Sequence, residues 1–185
     1  LSTRSLVLIA LFTAIIVVLG LVPPIMLGFF PVPILVQSLG VILAGIVLGA
    51  RGGAFSVLLL LTLVAIGLPV LSGGRGGLAV FVGPTAGYLI GFLPQAFVSG
   101  WIADKVVAKN VTGWKLYAGL FFGGVVGVLI NHALGITWLA NFVGLSLADA
   151  VIGNMIFVPG DLAKAAIAAY VGHLVSKNLG TRARG

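Results

Sequence analysis

Long apolar runs, interrupted by short breaks of glycine, proline and basic residues, set the pattern of the whole chain. Six of them, at about 5–21, 34–50, 54–68, 84–103, 114–133 and 160–177, come close to the roughly 20 residues an α-helix needs to cross a bilayer. The breaks have their own chemistry. Val22-Pro23-Pro24 stops the first run, and Gly28-Phe29-Phe30-Pro31-Val32-Pro33 carries too many prolines to be helical. Arg51-Gly52-Gly53 reads as a tight turn between the second and third runs. Pro69 and Ser72-Gly73-Gly74-Arg75-Gly76-Gly77 then form a flexible loop with one isolated arginine. Residues 134–150, with Trp138, Asn141 and Asp149, read as an interfacial loop, and Pro159-Gly160 divides the last run into a short approach and a continuous helix. The pattern predicts one all-α integral membrane domain over residues 1–185, a bundle of six transmembrane helices. The first run follows Arg4 but lacks a small-x-small cleavage site, so it reads as a span rather than a signal peptide.

Composition agrees, with 61% hydrophobic and only 7% charged residues in a chain of 185, against about 25% charged in soluble domains. A net charge of +7 would suggest nucleic acid in a soluble protein, but here membrane topology accounts for it. With the N-terminus cytoplasmic, Arg4, Arg51, Lys105, Lys109, Lys115, Lys177, Arg182 and Arg184 all fall inside, leaving only Arg75 outside and Lys164 within the last span. Both termini are then cytoplasmic. The proline-rich first loop, the Arg75 loop and the start of the last span converge on the outer side.

Ionisable residues inside such sequence are costly and point to a partner, a cavity or a ligand. Phe157-Val158-Pro159-Gly160-Asp161-Leu162-Ala163-Lys164 carries two of them, three residues apart and so on one helix face. Two readings follow: an intrahelical pair that only neutralises itself, or a polar pocket. With Arg75, Tyr88 and Asn154 on the same side, a pocket would suit a small ligand bearing N–H donors and a carboxylate. Catalysis and nucleotide hydrolysis find no support. The chain has no cysteine and no glutamate, and no Walker, Gly-x-Ser-x-Gly or His-Glu-x-x-His motif. His132 and His173 fall at opposite ends of the bundle and read as hydrogen-bonded or interfacial side chains, not joint metal ligands; Asp149 reads as a helix cap. Small residues four apart, at Ala10/Ala14, Gly45/Gly49, Gly83/Gly87/Gly91 and Gly119/Gly123/Gly127, mark faces for close helix packing.

Gly73-Gly74-Arg75-Gly76-Gly77, then Gly83-Pro84-Thr85-Ala86-Gly87-Tyr88-Leu89-Ile90-Gly91-Phe92, then the Phe157–Lys164 motif, in this order and spacing, resemble the BioY family. Those proteins are biotin-specific substrate-binding (S) components of energy-coupling factor (ECF) transporters, and the resemblance extends over essentially the whole chain. It implies a six-helix bundle in a prokaryotic plasma membrane that binds biotin near the outer side, without an ATPase or a cofactor of its own. The implied partners are a transmembrane T protein and two ABC-type ATPases, docked on the Ala10-x-x-x-Ala14 face. The candidate biotin contacts are Asp161, Lys164, Arg75, Tyr88, Asn154, Phe81 and Gly83. Asp161 would accept the ureido N–H groups; whether Lys164 or Arg75 meets the carboxylate stays open. Ala86 stands where some relatives have glycine. The competing reading is a self-sufficient transporter or channel for a small carboxylate-bearing solute, which would call for inverted repeats or a polar path through the bilayer, and neither is evident.

Overall fold

The chain reverses direction at a single glycine. In the computed structural model, which describes residues 2–26 and 32–179, α2 (Gln37–Ala65) contains one residue with non-helical geometry, Gly49, at φ 79° and ψ −178°. Only glycine adopts that backbone without strain. The two limbs of α2 consequently lie against each other: a Cβ placed on Gly53 would come within 2.6 Å of the Gly45 Cα. Gly45 and Gly53 are thus required where two backbones touch, an extreme form of the small-residue packing expected in membranes. The sequence places this turn at 51–53, but those residues are helical. Gly49 takes the turn because the Asp104 carboxylate waits beside it. Its Oδ2 accepts the Ala50 backbone N–H at 2.9 Å, capping the second limb.

The other elements are α1 (Thr3–Gly20), α3 (Ala86–Ala108), α4 (Gly113–Val143), α5 (Leu147–Asn154) and α6 (Val158–Leu179), with 3-10 turns at Leu78–Phe81 and Met155–Phe157. Among the described residues, five helical stretches are long and apolar enough to cross a membrane, the last running through α5 and α6 from Leu147 to Ser176. The expected loop over 134–150 is largely absent: α4 continues to Val143 and ends on Gly144 in a left-handed conformation. At 31 residues α4 is about 46 Å long, so its final turns project beyond a hydrocarbon layer of about 30 Å. Hydropathy falls in those turns because Trp138 and Asn141 belong to an interface, not because the helix stops. The cap expected at Asp149 falls to Ser146, which accepts the Asp149 N–H on its Oγ at 3.1 Å while its hydroxyl donates to the Asp149 carboxylate at 2.6 Å.

Packing follows the glycines. α3 lies on α4 through Gly87 against Trp138, Gly91 against Asn131, Gly119 against Val106 and Gly123 against Ile102. One apolar core joins α1, α2 and α3 through Phe12, Ile16, Val41, Val57, Leu60 and Phe92. A second joins α2, α3, α4 and α6 through Ile42, Ile46, Leu116, Leu120 and Ala168. Around both, large apolar side chains such as Leu11, Trp101, Phe122, Leu129, Ile167 and Tyr170 are exposed. A water-facing surface would not carry so many, whereas lipid solvates them at no cost. The segment Gly28-Phe29-Phe30-Pro31 and the tail with Arg182 and Arg184 lie outside the described residues.

Candidate ligand site

Pro159 stands in the opening turn of α6, where its missing N–H breaks no helical bond. Asp161, two residues on, is buried, 8% exposed, with both carboxylate oxygens engaged. Lys164 Nζ donates to Oδ1 at 2.8 Å, and His132 Nε2 meets Oδ2 at 2.9 Å from the neighbouring α4. Lys164 also donates to Ser38 Oγ at 3.0 Å, joining α6 to the start of α2. The pair is therefore not closed on itself. Three helices converge on it.

Behind His132 the chain of bonds continues. Asn154 Nδ2 lies 2.9 Å from His132 Nδ1, and the Tyr88 hydroxyl donates to Asn154 Oδ1 at 2.7 Å. Asn131 Nδ2 donates to the Tyr88 carbonyl at 2.8 Å, and the Tyr88 ring meets the His132 ring edge-on with centroids 6.3 Å apart. Gly135 makes that posture possible, since a Cβ there would overlap the Tyr88 ring. A buried polar network of this kind is stable only when each member is satisfied, and each of these is.

The network borders a crevice. Its walls are Val32, Pro33, Leu35, Ser38, Tyr88, Phe92, Gln95, Val128, Asn131, His132, Phe157, Asp161 and Lys164, around about 480 Å³ of space that includes open solvent. An adjoining crevice of about 410 Å³ shares Val32, Pro33, Leu35, Tyr88 and Phe92 and ends at Arg75 and Thr85. Arg75 is anchored there, its Nε donating to the Ser72 carbonyl at 3.2 Å and its Nη1 to Thr85 Oγ1 at 3.4 Å. The two crevices share a mostly apolar wall, with an acidic and a basic group at one end and a guanidinium at the other. A carboxylate offers about four lone-pair directions. Two on Asp161 are taken by the protein, leaving room for donors from a ligand.

Of the residues singled out in the sequence, Asp161, Lys164, Tyr88 and Asn154 come together here, and Arg75 closes the far end. Phe81 and Gly83 line neither crevice. Phe81 packs against the core of α1–α3, and the Gly83 carbonyl accepts the Trp138 indole N–H at 2.9 Å. His132, Ser38, Asn131 and the wall residues Phe92 and Gln95 were not foreseen. His132 had one usable signal: it sits at the same end of its span as Asp161 does of its own.

A multi-pass helical membrane protein with a crevice lined by a few convergent polar groups is the class that fold and site define. The comparisons with known proteins are specific. A model of the BioY family matches residues 1–181. The biotin transporter BioY of Rhizobium etli is 55% identical over 94% of each chain. That of Rhodobacter capsulatus is 50% identical over 94% of each. A crystal structure of the S-component for biotin from an ECF-type ABC transporter superposes with a TM-score of 0.88 at 36% identity, covering 95% of this chain and 92% of that one. The chain belongs to the BioY family, and the two relatives just described are named as biotin transporters.

Proposed function

We propose that this chain is the substrate-binding S component of a biotin uptake system, taking biotin into the passage between Asp161 and Arg75. One observation carries the reading: Asp161, buried between α6, α4 and α2, keeps unused lone pairs beside a crevice with largely apolar walls. The ureido head places its N–H donors on Asp161, the fused rings lie among Tyr88, Phe92 and Phe157, and the valerate tail runs through the shared wall to Arg75. Lys164 is committed to Asp161 and Ser38, which favours Arg75 for the ligand carboxylate. Arg75 also offers a planar guanidinium matched to that group.

The two limbs of α2 count as separate crossings, giving six in all. The basic residues at the Gly49 turn and the α3–α4 connection put that side and both termini in the cytoplasm of a prokaryotic cell. Energy comes from outside the chain, through a transmembrane T protein and two ABC-type ATPases. Ala10 and Ala14 both lie on the exposed face of α1, which suits close approach of a T-protein helix. The test is calorimetry of the purified chain with biotin and with other vitamins, paired with uptake in cells possessing and lacking the coupling module. Selective biotin binding and module-dependent uptake are expected. Uptake of equal rate without the module would overturn the partner assignment, and absence of biotin binding would overturn the ligand.

A further inference from the structure

His132 occupies the junction between the ligand-facing carboxylate and the rest of the polar network. Its tautomer follows from its neighbours. Asp161 Oδ2 at 2.9 Å accepts, so Nε2 must carry a hydrogen, and in the neutral ring Nδ1 is then an acceptor. Asn154 must present its NH₂ group to Nδ1, which turns its carbonyl oxygen to the Tyr88 hydroxyl and makes that hydroxyl the donor. With the ring neutral, each member leaves the next one choice. Asn154, 2% exposed, has both ends of its amide engaged and nowhere else to turn.

The direction of the chain has a consequence at Asp161. Lys164, three residues along the same helix and tied to Ser38 of α2, holds only Oδ1, which leaves the carboxylate free to rotate about that contact. His132, from α4, holds the second oxygen and stops that rotation. We propose that His132 is a positioning residue for biotin: fixed as its Nε2–H tautomer by Asn154 and Tyr88, it holds the Asp161 carboxylate at one rotation, so that the unused lone pairs face the ureido N–H groups. This rests on the biotin reading above.

The chain has two histidines, so the ring nitrogens of ¹⁵N-histidine-labelled protein in detergent micelles give a short spectrum, with a His173→Gln variant to assign it. A protonated Nε2 and unprotonated Nδ1 are expected for His132; a protonated Nδ1 overturns the proposal. Biotin titration supplies the second readout. His132→Gln keeps an N–H near the Nε2 position and should bind within about threefold of the unaltered protein, whereas His132→Leu, lacking a hydrogen bond to a charged group, should lose roughly tenfold or more. Equal losses for both, or none for leucine, overturn the positioning role. If the leucine variant does not elute as folded protein, the glutamine variant and the tautomer decide. Should the unaltered protein fail to bind biotin, the ligand reading falls, while the tautomer measurement still judges the network.

Discussion

Asp104 and Asp161 are the same residue type at opposite ends of the bundle, and they do different work. Asp104 points into the junction of Gly49 and Gly100, where an added Cβ on either glycine would meet protein atoms at 2.5 Å, and spends an oxygen on a backbone N–H. Neither crevice described above reaches it. Asp161 is more deeply buried, yet its partners are side chains from two helices and one flank borders open space. The difference teaches that burial alone does not make an intramembrane carboxylate a binding group. What distinguishes the two is whether the surrounding protein leaves room and unspent lone pairs.

Four substitutions probe that contrast. Gly100→Leu should act most strongly, because its Cβ would meet Ala50 N and the Gly49 backbone, which cannot yield as a side chain can. Loss of folded, monodisperse protein is expected in size-exclusion chromatography, and a normally folded variant would contradict the close packing at this junction. Lys164→Met leaves the Asp161 charge without its cation, and breaking a buried pair from one side costs about 3–5 kcal/mol of stability. The thermal midpoint should fall clearly, and an unchanged midpoint would contradict the burial of the pair. Arg75→Gln should cost about tenfold, as expected for one charge-assisted contact, and should abolish any preference for biotin over its neutral amide. If that preference survives, the tail is bound elsewhere. Asp104→Ala should leave biotin affinity within about twofold, yet lower the thermal midpoint, since losing a helix cap costs about 1 kcal/mol.

How far the sequence reaches can be judged at particular residues. The Phe157–Lys164 motif was legible because charge and proline stand out in apolar sequence, and Tyr88 because it interrupts a glycine repeat. His132 was not, since a lone histidine in an apolar helix looks the same whether it faces a carboxylate or an interface; only the docking of α4 on α6 decides. The turn of α2 was expected near its true place but on the wrong glycine. Gly49, Gly52 and Gly53 all permit a reversal, and the choice depends on Asp104, 54 positions beyond the Ala50 it caps. The end of α4 was missed for a related reason: hydropathy reports where lipid stops, while a helix continues wherever its backbone bonds are met. Phe81 and Gly83 stood near Tyr88 in sequence, but the 3-10 turn at Leu78–Phe81 keeps them off the crevice walls.

Calorimetric titration of biotin into purified Asp161→Asn protein tests the central claim most directly, with Asp104→Asn measured beside it. Asparagine keeps the shape but not the charge, and truncating a buried charged hydrogen-bond partner costs at least about 2 kcal/mol. The account predicts a loss of about thirtyfold or more for Asp161→Asn, with Asp104→Asn binding as the unaltered protein does. Wild-type affinity in folded Asp161→Asn protein would contradict it.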